Sequence, residues 1–114
     1  MPHTGIAFFG PRRGHEPVTE KHLESAIADL CRRLGLLRYH TFRSDKSEPG
    51  FPDEVIVSGD TALFWELKTE RGKPSPAQTR WLEALRAVRR LDVRIVRPAD
   101  LQLCADILTK GALR

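Results

Sequence analysis

The sequence predicts an α/β domain, and three observations carry that prediction. A helix-periodic apolar stripe runs between Thr19 and Gly35, two strand-like runs flank Ser58-Gly59-Asp60, and a capped helix from Ser75 leads into a further strand at Leu91. A length of 114 residues suits one compact domain with an adequate core and little surplus surface. Hydrophobic content of 40% and charged content of 30% are ordinary for a soluble globular protein, and no apolar run is long enough to span a bilayer. Ile6 to Phe9 is too short for the apolar stretch of a secretion signal and no basic run precedes it, so the cytoplasm is the expected compartment.

Met1 to Pro17 carries Gly5, Gly10, Pro11, Gly14 and Pro17, a composition that resists regular structure; residues 1–17 are expected to form a flexible segment ahead of a domain spanning 18–114. In the first helix Leu23, Ile27, Leu30 and Leu34 recur at helical spacing, with Thr19 as cap and Gly35 as stop. Glu24 lies at the border of that stripe and shares a flank with Ile27 and Cys31, from which a carboxylate can reach a cleft. Leu37 to Phe42 reads as a strand, and Arg43 to Pro52 is a loop rich in turn formers. Val55-Ile56-Val57, the turn Ser58-Gly59-Asp60 and the alternating run Thr61 to Lys68 read as a hairpin. Ser75-Pro76-Ala77-Gln78 is a helix start, with Ser as N-cap, Pro in the first turn and Gln placed for a capping box. Trp81, Leu82, Leu85 and Val88 form the apolar stripe of this helix. Leu91 to Val96 then gives a fourth strand, parallel to its predecessor if the crossover is a βαβ unit. Leu101, Leu103, Cys104, Ile107 and Leu108 predict a last short helix ending before Gly111. Cys31 and Cys104 fall within apolar helical patterns without ligand spacing, which identifies them as small buried hydrophobes.

The formal charge is +4, with basic residues clustered at Arg12-Arg13, Arg32-Arg33, Arg38, Arg43, Arg71 to Lys73 and Arg86 to Arg97. Such a surface attracts a phosphate polymer, although charge of this size does not by itself select one.

Sharper information sits in Gly50-Phe51-Pro52-Asp53 and in Glu66-Leu67-Lys68, which begins thirteen residues after the aspartate. Folding about the Ser58–Asp60 turn makes position 53 a neighbour of the 66 to 67 region, and period-two alternation puts Glu66 and Lys68 on one strand face. Two carboxylates and a lysine are the groups that metal-assisted phosphodiester hydrolysis needs. A divalent cation activates water and stabilises the charged phosphorane, while a lysine orients or deprotonates the water. Magnesium takes oxygen ligands and keeps several waters, so Asp53, Glu66 and a backbone carbonyl such as that of Leu67 make a sufficient protein share. Glu24 would complete the site as a second-metal ligand or through water, and Gln78, at a helix N-terminus, would touch a phosphate or a metal-bound water. Each residue also has a plainer reading: Glu66 and Lys68 as a solvated strand pair, Asp53 as a turn residue, Gln78 as a capping partner, Glu24 as a helix-surface acid. The four histidines have no helical pairing that would suggest a histidine metal site.

The conjunction of Glu24, Ser47-Glu48-Pro49-Gly50-Phe51-Pro52-Asp53, Glu66-Leu67-Lys68-Thr69 and Ser75-Pro76-Ala77-Gln78-Thr79-Arg80-Trp81-Leu82 resembles the PD-(D/E)XK nuclease superfamily, and within it the VRR-NUC family of virus-type nucleases. The resemblance covers Val18 to Arg97. It implies a restriction-endonuclease-like α/β core with a central mixed sheet flanked by helices. It further implies Asp53 and Glu66 as metal ligands, Lys68 as the catalytic lysine, and Glu24 and Gln78 as supporting residues. The implied cofactor is Mg2+ or Mn2+, and the implied activity is structure-selective cleavage of DNA, with branched forms such as Holliday junctions as substrates and a homodimer as the working unit in DNA repair. Arg43, Lys46, Arg71, Lys73 and Arg80 are the candidate phosphate contacts. Compact versions of the family occur in viruses and mobile elements, which makes such an origin an expectation here. Two other outcomes stay open: a nuclease subunit that depends on a partner, and a nucleic-acid-binding protein that retains the fold without cutting.

Overall fold

The computed structural model describes residues 18–42 and 48–113; the segment 1–17 and the candidate phosphate contacts Arg43 and Lys46 lie outside the described residues. The elements follow the order α1 (Glu20–Leu34), β1 (Arg38–His40), β2 (Glu54–Ser58), β3 (Thr61–Leu67), α2 (Pro76–Arg86), β4 (Leu91–Val96) and, after a 3-10 turn at Pro98–Asp100, α3 (Leu101–Ala112). Among the described residues no helix is long and apolar enough to cross a membrane.

Local chemistry explains most of the boundaries. The Thr19 hydroxyl accepts from the His22 amide at 3.1 Å, and Gly35 stops α1 in the left-handed region at φ 70°. Ser75 caps α2 in the same way. Two expectations shift. β1 is shorter than Leu37 to Phe42, because this strand has one ladder partner, β2, and its flanks Leu37 and Phe42 are 77% and 76% exposed. α3 runs through Gly111 rather than ending before it; a Cβ at that position would collide with the Ser58 side chain, so this glycine serves the close approach of α3 to β2.

The four strands form one mixed sheet in the order β1-β2-β3-β4, antiparallel across the first three and parallel between β3 and β4. The parallel pair follows from the α2 crossover. Register pairs Glu54 with Trp65, Ile56 with Leu63, and Leu67 with Val96, so these side chains share one face. Against that face α1 and α3 pack their stripes, and Leu23, Ile27, Leu30, Cys31, Leu101, Cys104, Ala105 and Leu108 complete the core. Each fully buried leucine or isoleucine there contributes roughly 1.5–3 kcal/mol of transfer free energy. Trp65 is wholly buried, and its indole N–H is satisfied by Asp92 at 2.9 Å. The opposite face carries Val55, Phe64, Glu66, Val93 and Ile95 by alternation and is covered more thinly by α2, which packs beside β4. Of the expected α2 stripe only Leu82 is buried; Trp81 is half-buried and Val88, beyond the helix, is 53% exposed.

One buried charge sits in the core-side layer. Glu54 is fully buried at the start of β2, and Arg38 of β1 binds it through Nε at 2.5 Å and Nη2 at 3.0 Å while His40 reaches it at 2.7 Å. Such a fork-to-carboxylate pairing offsets the desolvation of both charges. Arg38→Met strands the Glu54 carboxylate with His40 alone and is expected to cost about 3 kcal/mol in denaturant unfolding, most of which returns in the double variant Arg38→Met/Glu54→Leu. Equal losses in the single and double variants would show that Arg38 matters for packing and not for charge.

Candidate active site

β2 and β3 bring the two motif carboxylates together. Glu54 faces Trp65, so Asp53 lies one step on, opposite Glu66, and its Oδ2 accepts from the Leu67 amide at 2.9 Å. Within a strand the N–H and C=O of one residue point to the same side, so the Leu67 carbonyl is directed toward this edge as well. Consecutive residues of an extended chain face opposite ways. Asp53 therefore joins Val55 and Glu66 on the α2 side, while Glu54 points into the core.

Glu66 is 1% exposed. Its Oε2 accepts from Gln78 Nε2 at 2.8 Å and lies 3.7 Å from Lys68 Nζ, two residues along the same face. Its Oε1 is buried and has no hydrogen-bond partner among the described residues. Burial, and after it the charge and proximity of Asp53, push the Glu66 carboxyl up to about 8, with Lys68 pulling the other way. Two carboxylates held this closely in a shielded place, one with an orphaned oxygen, match what a divalent cation requires of its ligands. The donor set therefore fits a magnesium- or manganese-type site formed by Asp53 and Glu66.

Gln78 is the capping-box partner of Ser75 and also reaches Glu66. Its Oε1 accepts from the Ser75 amide at 2.8 Å as the capping-box partner, which leaves Nε2 free to donate to Glu66. Gly50 makes this arrangement compact: its φ of 90° is in the left-handed region, and a Cβ there would lie 2.5 Å from the Ala77 carbonyl oxygen and 2.7 Å from the Gln78 amide nitrogen. Phe51 adds an edge-to-face contact with Trp81 at 5.0 Å and another with Phe64 at 6.1 Å. The loop that delivers Asp53 is thereby seated on the first turn of α2.

Glu24 goes elsewhere. Its carboxylate pairs with Arg38 Nη2 at 3.1 Å and stands 3.6 Å from His40 Nε2. Arg38 and His40 align with Ile56 and Glu54, so Glu24 belongs to the core-side layer and the sheet separates it from Asp53 and Glu66. Glu24, His40 and Glu54 have ligand atoms within 4.8 Å of one another, an unexpected histidine-carboxylate cluster whose two carboxylates share the Arg38 guanidinium. Glu20, exposed one turn earlier on α1, adds only the least of the effects that act on Glu66. Arg71 and Lys73 are exposed on the loop that follows Lys68, and Arg80 is exposed on α2.

No family model matches the chain, and no curated protein matches it. Solved structures do. One described as a "VRR_NUC domain protein" superposes with a TM-score of 0.61 at 17% identity, covering 78% of this chain and 85% of its own. Another, described as a "VRR_NUC domain", gives 0.60 at 22% identity, covering 75% of this chain and 92% of its own. The four-stranded mixed sheet flanked by three helices is the fold of the VRR_NUC domain.

Proposed function

We propose that the chain is a VRR-NUC nuclease: a Mg2+- or Mn2+-dependent endonuclease that hydrolyses phosphodiester bonds in DNA, with branched DNA such as Holliday junctions as the preferred substrate. The observation that carries the reading is the half-buried Asp53 beside the buried Glu66 at the strand end, with one Glu66 oxygen unpartnered and Lys68 alongside. The likeness of fold and the motif spacing support it, as does the excess of basic side chains.

Asp53, Glu66 and the Leu67 carbonyl would hold the cation, which when bound supplies Lewis acidity for water and phosphate. Gln78 holds Glu66 in one rotamer, so its free oxygen stays aimed at the ligand position. Lys68 then orients the attacking water or receives its proton, and its charge offsets the negative charge that grows on the phosphoryl oxygens. Arg71, Lys73 and Arg80, all exposed, would meet the DNA backbone around this acidic centre. A homodimer would present two such centres to the two strands of a junction.

The deciding experiment is cleavage of a four-way junction, a flap, and linear single- and double-stranded DNA with magnesium or manganese, beside Lys68→Ala. Symmetric junction cuts that Lys68→Ala abolishes are expected. Uniform cutting of all substrates would remove the structure selectivity, and tight binding without cleavage would favour a partner-dependent or non-cutting protein.

Asp53→Ala is expected to weaken manganese binding in calorimetry by roughly tenfold or more, whereas Lys68→Ala keeps the affinity and lowers turnover by about 100-fold. Unchanged affinity in Asp53→Ala would end its assignment as a ligand.

The raised Glu66 carboxyl also sets a pH dependence. Between about 4.5 and 8 the folded chain holds a proton that the unfolded chain has released, so this group's contribution to stability falls as pH rises through that window and levels off above it. Metal binding must expel the same proton. Manganese affinity is therefore expected to rise with pH up to about 8 and to plateau beyond, with proton release measurable by calorimetry in buffers of different ionisation enthalpy. A pH-independent affinity across this range, or one that Glu66→Gln leaves unchanged, would contradict the assignment.

A further inference from the structure

The loop after the catalytic lysine is tied down from a distance in sequence. β4 runs parallel to β3 with Val96 opposite Leu67, and the Lys68 amide donates to the Val96 carbonyl at 2.9 Å. The next residue of each strand is therefore brought to the same end of the sheet, and Arg97 emerges beside Thr69. Its Nη1 donates to the carbonyl oxygens of Thr69 at 2.7 Å and Gly72 at 2.7 Å, with a longer contact to that of Glu70 at 3.2 Å. Three carbonyls converging on one guanidinium nitrogen curl the loop into a closed turn. That turn is reinforced from inside, where the Gly72 amide donates to Thr69 Oγ1 at 3.1 Å, and from outside, where the Ala99 amide meets the Glu70 carboxylate at 3.4 Å. Arg97 is itself anchored, its amide donating to Asp100 Oδ2 at 2.9 Å.

The turn closes on the lysine. A Cβ at Gly72 would lie 3.5 Å from Lys68 Cδ and 3.0 Å from Thr69 Oγ1, so the glycine backbone packs against the aliphatic stem, and the Lys68 side chain is only 12% exposed. A lysine stem has four rotatable bonds and wanders unless its surroundings confine it. Glu66 limits the ammonium end at 3.7 Å, and the Thr69–Gly72 turn limits the stem.

We propose that Arg97 is a positioning residue for catalysis: by gathering the Thr69, Glu70 and Gly72 carbonyls it holds the loop against Lys68 and so fixes the ammonium beside the reacting phosphate. The proposal rests on the nuclease reading for its catalytic half, and on geometry alone for the loop.

Hydrogen exchange and steady-state cleavage of wild type, Arg97→Met and Arg97→Lys separate the two halves. Loss of the guanidinium is expected to speed exchange of the Gly72 amide and tryptic cutting after Arg71. It is also expected to lower kcat by about tenfold to 100-fold while KM for DNA and manganese affinity hold, since small displacements of a catalytic group carry costs of this order. Arg97→Lys, which keeps the charge but not the fork, should fall between. Ethylguanidinium added to Arg97→Ala should restore part of the lost turnover. Unaltered Gly72 protection in Arg97→Met overturns the clamp. Faster exchange with kcat within about twofold of wild type, or a loss carried by KM alone, overturns the positioning of Lys68. If the wild-type protein cuts none of the DNA substrates, the nuclease reading fails by itself and the exchange data still decide the clamp.

Discussion

The register between β2 and β3 is the constraint on which the rest depends. Pairing Glu54 with Trp65 places Asp53 against Glu66 and sends two consecutive carboxylates to opposite sides of the sheet. A slip of one residue would reverse every side chain of β2, burying Asp53 in the apolar core and exposing Ile56. The turn at Gly59, with φ 62°, and the burial of Ile56 and Leu63 on one face hold the register against such a slip. Hydrophobic patterning and the meeting of Asp53 with Glu66 are thus set by the same ladder.

Two buried acids on either side of that sheet meet different fates. Glu54 is surrounded by Arg38 and His40, so its charge is compensated and its function is to tie β1 to β2 beneath α1. Glu66 has one amide donor, a lysine at 3.7 Å and a neighbouring carboxylate, which leaves its charge under-compensated. An uncompensated buried charge is costly, and proteins retain such strain where a ligand will relieve it. The contrast separates a compensated, stabilising acid in the core-side layer from an under-compensated one on the α2 side, where the proposed site lies.

Around Glu66 the second face is assembled from loops, not from a thick hydrophobic layer. Gly50 abuts the first turn of α2, Phe51 bridges Trp81 and Phe64, and Gln78 spans the Ser75 cap and the Glu66 carboxylate. Arg97 pins the loop on the other side of Lys68. Four segments distant in sequence converge on one strand end, which is the rigidity that a two-carboxylate site needs when few apolar contacts surround it.

Much of this was legible in the amino-acid sequence, because local physics dictates it. Thr19, Gly35 and the Ser75 to Gln78 capping box mark helix ends through hydrogen bonds within a few residues, and period-two alternation exposes the hairpin that pairs Asp53 with Glu66. What lay beyond reach depends on which face of the sheet an element covers. Helical periodicity put Glu24 at the edge of a buried stripe, but only the docking of α1 on the core side decided that it would meet Arg38. The compensation of Glu54 and the Arg97 clamp arise from pairing of strands far apart in the chain. Sequence determined the elements and the nearness of the Asp53 and Glu66 carboxylates through short-range caps and periods; tertiary structure alone decided the partners of the buried charges, because those are set by which faces pack together.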